Sequence, residues 1–170
     1  IRKYGEENRA TSVAKAIVAA RKKGTISRTR ELASIVRNVV KKSADGIDPA
    51  TRTFQALRVH INDELRELAS GLAAAERILT AGGRLVVVSF HSLEDRIVKT
   101  FFRERVGRGG NPSRHQPPPS MTRSPTFRLL TARPVRPKTR EISMNPRSRS
   151  ARLRAVERTS ATSWPMSAVV

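Results

Sequence analysis

The chain contains no cysteine, which removes disulfides, thiol nucleophiles and cysteine-ligated zinc together and leaves the redox compartment open. Aromatic residues make up only 4% of it, so any core must be assembled from Val, Ile, Leu and Ala. The three histidines, His60, His91 and His115, lie too far apart for a local ligand motif such as HExxH, and no metal is expected. Apolar runs stop at four or five residues, as around Leu85 to Val88, against about 20 needed to span a bilayer. A soluble protein without a membrane partner is predicted. No apolar signal segment opens the chain, since Arg2, Lys3, Glu6, Glu7 and Arg9 crowd its start, and Ile1 in place of Met points to a truncated or excised product. Acid is scarce as well. Against 34 Lys+Arg stand 14 Asp+Glu, a net charge of +20 in 170 residues, which calls for a polyanionic partner.

What is present reads first as helix. Val13, Ile17 and Ala20 recur at helical spacing between Asn8 and Lys23, and Gly24 follows as a stop. Ser27 is placed to cap a second helix whose stripe is Leu32, Ile35, Val36, Val39 and Val40, so the pair predicts an αα-hairpin. Asp48 and Pro49 form a start signal, a capping carboxylate with proline at the first helical position, for a helix carrying Phe54, Leu57 and Ile61. Asn62 and Asp63 mark a break. A fourth helix then runs through Leu65, Leu68, Leu72, Ala75 and Leu79 to Gly82 and Gly83.

Leu85 to Val88 is a continuous apolar run, as expected of a strand buried on both faces of a parallel sheet. Ser92, with Asp95 three residues on, reads as a capping box for a helix through Ile97, Val98, Phe101 and Phe102. Helix, glycine turn, strand and helix predict an α/β unit. From Gly107 to Pro125 the composition turns to Gly, Pro, Ser and Arg, a mobile loop by its content. Phe127 to Val135 and Ala151 to Val156 are each able to form a strand and to pair antiparallel at a sheet edge. Between Arg108 and Arg158 there are thirteen Lys/Arg and two acids, Glu141 and Glu157.

Two constellations carry chemistry. The segment from Phe90 to Arg96 sits where a strand ends and a helix begins, the edge at which open α/β folds bind ligands. In the plainer reading Ser92 is only a cap, Glu94 and Asp95 complement the helix dipole and His91 is a loop residue. Arg52 and Arg58 flank Phe54, while Arg147, Arg149, Arg152 and Arg154 crowd the end of the chain with serines between them; guanidinium groups match phosphate oxygens bidentately. Their plainer reading is a solvated face. Neither the glycines at 107 to 110 nor Gly82 and Gly83 follow a strand into a helix, so neither cradles phosphate in the usual way, and no GxSxG elbow is present.

Several strings together resemble one family, the bacterial 16S ribosomal RNA (cytosine-N4) methyltransferases of the H type. They are Tyr4-Gly5-Glu6-Glu7, the run from Pro49 to Arg58, Asn62 with Glu64-Leu65, Gly82-Gly83-Arg84-Leu85, the run from Ser89 to Lys99, and the run from Asn145 to Arg154. Asp48 stands where the family favours histidine. The resemblance implies the C-terminal part of a class I S-adenosylmethionine-dependent methyltransferase (Rossmann-like) fold. It divides the chain into the end of an inserted helical substrate-recognition domain (1–47), helices, strand and helix of the sheet (48–106), the loop (107–126), a basic strand pair (127–158) and a disordered tail (159–170).

The resemblance further implies a cytoplasmic enzyme that methylates N4 of a cytosine in 16S rRNA of the small ribosomal subunit with S-adenosylmethionine. The family's glycine-rich cofactor loop and acidic ribose contact map to nothing here, so the chain alone is expected to be inactive. On this reading His91 and Ser92 shape the cytosine side of the pocket, and Arg52, Arg58, Arg96, Arg147, Arg149, Arg152 and Arg154 grip RNA. The rival expectation is a small basic RNA-binding protein without catalysis.

Overall fold

The structure, a computed structural model, describes residues 1–42, 46–108 and 123–165. The described residues divide into two compact units, Ile1–Glu64 and Leu65–Val170. The division falls between the helix that carries Phe54 and the one that carries Leu68 and Leu72, so the first of these lies in the helical unit.

In the first unit, α2 (Ala10–Lys23) and α3 (Thr29–Val39) form the expected hairpin. Val13 and Val36 are fully buried at its centre with Ala33 and Ala50, and Ile17, Leu32, Val39, Val40 and Phe54 pack around them. The cap of α3 differs from expectation. Glu31 closes its first turn by accepting the N–H groups of Ser27 and Arg28 on one carboxylate oxygen (3.1 and 3.4 Å), and Ser27 stays outside the helix. The proline start signal acts slightly upstream of its helix: Asp48 accepts the Ala50 N–H at 2.9 Å, and α4 begins at Thr51 and runs to Asn62. Asp63, with φ of 50°, supplies the predicted break.

The short α1 (Arg2–Gly5) lies against α4. A Cβ on Gly5 would sit 2.3 Å from the Arg52 carbonyl oxygen, so only glycine allows this approach. Gln55 Nε2 donates to the Tyr4 carbonyl at 3.2 Å, and the Tyr4 ring stacks on His60. These contacts give the Tyr-Gly-Glu-Glu string and the string from Pro49 a shared structural reason.

In the second unit α5 (Glu64–Ile78, all but its first residue in this unit) and α6 (Ser92–Arg105) cover one face of a sheet. Its strands are β1 (Arg84–Ser89), β2 (Phe127–Leu129) and β3 (Arg152–Arg158), in the order β1-β3-β2. Both ladders are antiparallel, so the parallel pairing expected for β1 does not occur among the described residues. β3 is central: Val87 faces Arg154 on one side, and Leu129 faces Val156 on the other. Leu72, Val98, Phe102, Phe127 and Val156 form the core.

Gly82 holds φ of 81°, and a Cβ on Gly83 would lie 2.9 Å from the Thr80 carbonyl oxygen, which explains the glycine pair. α5 ends before it, at Ile78. The second expected strand is shorter than its sequence suggests. β2 stops at Leu129; Leu130 and Thr131 still bond to Ala155, but regular pairing returns only as an isolated bridge at Val135, whose N–H and C=O both pair with Leu153. Pro134 and Pro137, lacking N–H groups, interrupt a longer ladder.

Most of the expected loop, residues 109–122, lies outside the described residues; its ends are joined where the Thr126 N–H donates to the Arg105 carbonyl at 2.9 Å. The beginning of the expected tail is held in place. Thr159 bonds to Thr126 and Pro125, and Trp164 Nε1 donates to the Ser124 carbonyl; residues 166–170 lie outside the described residues.

β1 is buried on one face only. Leu85 and Val87 pack on the core, whereas Val86, Val88 and the adjacent Phe90 are 53%, 48% and 55% exposed. Its outer edge has no strand partner among the described residues. An open apolar edge is a template for association. Sedimentation velocity should therefore show concentration-dependent self-association of the 170-residue chain, relieved by the double substitution Val86→Lys, Val88→Lys; a concentration-independent monomer would contradict this. In the helical unit, Gly5→Ala should lower unfolding stability by about 2 kcal/mol through the forced clash with Arg52, measurable by urea titration.

Candidate functional site

The turn after β1 is closed by its own side chains. The backbone N–H groups of Phe90 and His91 both donate to Glu94 Oε2 (2.9 and 3.2 Å), and the Glu94 N–H donates to His91 Nδ1 at 3.3 Å. The capping box is thus His91 with Glu94, one residue earlier than the Ser92 and Asp95 pair expected from spacing. An imidazole nitrogen stands in for the usual hydroxyl. Because Nδ1 accepts, the proton of the neutral ring is on Nε2. That atom is buried 3.2 Å from Glu94 Oε1 but makes no aligned hydrogen bond. Ser92 is the first residue of α6.

Asp95, free of capping duty, is 6% exposed and holds two arginines of β3. Arg154 grips it bidentately, with Nε 2.7 Å from Oδ1 and a terminal nitrogen 3.2 Å from Oδ2, and Arg152 reaches Oδ2 at 3.0 Å. Residues two apart on a strand share a face, so one carboxylate serves both. The bidentate Arg154 contact, aided by Arg152 and opposed by burial, holds the Asp95 carboxyl below the usual carboxylate range. In the helical unit Arg37 likewise lowers Asp48, with help from the Ala50 N–H.

The arginines expected to grip RNA therefore fall into two groups. Arg152 and Arg154 are tied to Asp95, and Arg58 pairs with Glu64 at 2.7 Å. The charge of these three is paired with acids within the protein. Arg52 is exposed and lines a small pocket with Glu7, Lys41 and Asp48. Arg96 is exposed on the second turn of α6. Arg147 and Arg149 are exposed on a 3-10 helix, Pro146–Ser150, that Asn145 caps by accepting the Arg147 N–H at 3.2 Å, while Ser148 between them is buried. The string from Asn145 is a capped turn that presents alternate arginines.

A second buried charge cluster was missed in the sequence. Arg105 pairs with Glu76 at 2.9 Å, both almost fully buried, and its guanidinium lies over the Phe101 and Trp164 rings. Arg158 donates to the carbonyls of Glu76, Thr126 and Thr159. Glu76 lies 29 residues from Arg105 and 82 from Arg158, and no local pattern announces either contact.

S-adenosylmethionine, which the resemblance implies, does not fit the residues described. The turn after β1 has no glycine, its outermost N–H groups are occupied by Glu94, and the nearby buried carboxylate, Asp95, is saturated by two arginines. None of these groups is open to an adenosine ribose.

Depressed carboxyls make stability fall with acid. Asp95 and Asp48 contribute fully above the unfolded value of about 4 and lose that contribution as pH drops through their lower folded values. Asp95→Asn should cost about 3 kcal/mol by leaving two arginines without their counter-charge and should flatten the acid limb of a stability–pH profile; an unchanged profile would show that Asp95 carries no such weight.

The chain is 56% identical over 168 residues to "Ribosomal RNA small subunit methyltransferase H" of Rhodospirillum rubrum, covering 96% of this chain and 52% of that protein. The protein of the same name from Rhodospirillum centenum is 61% identical over 159 residues, 94% of this chain and 48% of its own length. The chain thus spans about half the length of these curated relatives. Residues 1–159 match the family model described as the MraW methylase family, and the chain belongs to that family.

Proposed function

We propose that this chain is the RNA-facing, sheet-closing part of an enzyme that methylates the exocyclic N4 of a cytosine in 16S rRNA, acting in the cytoplasm on the small ribosomal subunit. The observation that carries this reading is the identity above 50%, along nearly the whole chain, to proteins named as small-subunit rRNA methyltransferases. S-adenosylmethionine is the donor this reading requires. Its binding residues belong to the half of the relatives' length that the chain does not span, so the 170 residues alone are inactive. Among the described residues no helix is long and apolar enough to cross a membrane.

The reaction asks more for placement than for acid–base power. The lone pair of the cytosine amine is delocalised into the ring, so the amine reacts only when held in line with the methyl donor, and the base must leave its stack to arrive there. In this reading His91 and Ser92, at the end of β1, shape the wall that receives the base. The Nε2 of His91 is buried beside Glu94 and lacks an aligned hydrogen bond. Arg52, Arg96, Arg147 and Arg149 hold backbone phosphates.

His91 also caps α6, so two substitutions are needed to separate the roles. In the chain extended to the relatives' length, His91→Ala removes cap and imidazole, whereas His91→Asn keeps a capping acceptor. Both should lower turnover on small-subunit rRNA about tenfold or more, with RNA affinity nearly unchanged, and only His91→Ala should lower the melting temperature. Full turnover in His91→Asn would reduce His91 to a cap. Absence of N4-methylcytidine from rRNA treated with the unaltered extended enzyme would overturn the reaction itself.

A further inference from the structure

We propose that the segment joining β2 to β3, residues 130–151, is a preformed surface for RNA backbone, with Arg133, Arg136, Lys138 and Arg140 acting beside Arg147 and Arg149. The inference rests on the reading of RNA as partner and adds to it where, and by which groups, the strand is held.

Three observations carry it. The first is where charge is met and where it is not. On the three strands of the sheet, arginines are matched: Arg84 and Arg128 face Glu157, Arg152 and Arg154 face Asp95, and Arg158 spends its donors on carbonyls. Within the segment six cations stand against the single acid Glu141, all six are exposed, and none of their side chains meets an acid among the described residues. Charge left unmatched over 22 consecutive residues is what a phosphate-binding surface needs.

The second observation is that the segment is tied down along its length. The N–H groups of Leu130 and Thr131 donate to the Ala155 carbonyl, and Ala155 N–H donates to Thr131 Oγ1. Val135 exchanges two hydrogen bonds with Leu153 (2.8 and 2.9 Å). The helix α7 (Thr139–Met144) packs on the 3-10 helix, whose Ser148 hydroxyl donates to the Asn145 carbonyl at 2.8 Å. The proline-rich stretch is held in a shape before RNA arrives, which spares ordering entropy on binding.

The third is composition. No aromatic residue or histidine occurs from 130 to 151, so the segment has no platform on which a base could stack. It is suited to phosphates and not to sequence; selection of the cytosine falls to other residues.

The test measures binding of the 170-residue chain to a fluorescein-labelled RNA hairpin by anisotropy across a salt series. Two triple variants are compared, Arg133→Gln with Arg136→Gln and Lys138→Gln, and Arg140→Gln with Arg147→Gln and Arg149→Gln. A control variant removes equal charge elsewhere, at the exposed Lys15, Lys22 and Arg30, each to Gln. Each segment variant should bind about tenfold more weakly or worse near 100 mM salt, with the log–log salt slope lowered by about 2 to 3; the control should stay within about twofold. An RNA of unrelated sequence should give the same values. Arg→Lys versions of the same positions should bind as the parent does, which separates charge from folding. If the parent binds RNA but the segment variants match it, or the control loses as much, this surface is refuted and the RNA reading stands. If the parent itself fails to bind RNA, both fall.

Discussion

One carboxylate sets the arrangement of the sheet unit. Asp95, a turn into α6, accepts two guanidinium groups from β3 and so fixes that strand beneath the helix. β3 is the strand to which both others pair, so the register of the whole sheet is referred to this contact. Near the far end of β3, Arg158 and the Glu76–Arg105 pair do a similar task, bonding α5 and α6 to the sheet through buried charge. A strand of sequence Arg-Leu-Arg-Ala-Val-Glu-Arg holds the central place because each of its charges meets a partner. Burial of arginine is tolerable on that condition and costly without it.

Local pattern made part of this legible. The α2–α3 hairpin, the break after Asn62 and the glycine pair before β1 follow from helical spacing and from residues with a narrow conformational role. Ambiguity entered where the pattern is symmetric. Leu85 to Val88 is apolar at every position, so the sequence cannot say that Val86 and Val88 face outward, or that the neighbour of β1 is antiparallel. The cap of α6 moved by one residue because imidazole took the role expected of a hydroxyl.

The arginines were the hardest to read. Spacing of two along β3 is the same signal whether a phosphate or a carboxylate waits opposite, and the carboxylate lies 57 to 59 residues away. Only the fold separates arginines that hold the protein together from arginines that are exposed. The same separation explains the Asn145 string, where Ser148 turns inward and its arginine neighbours turn out. Trp164 was also unreadable as part of the fold, since its partners Arg105, Arg123 and Ser124 come from distant turns of the chain.

The proposed function divides the labour, with RNA contact falling to this chain and the methyl donor to the part of its relatives' length that it does not span. The turn after β1 is satisfied by His91 and Glu94, and Asp95 is satisfied by β3, so neither is open to an adenosine. Titration calorimetry of S-adenosylmethionine into the 170-residue chain, with a relative of full length alongside, tests this most directly. The account predicts heat of binding for the longer protein and none for the chain; micromolar binding by the chain would contradict it.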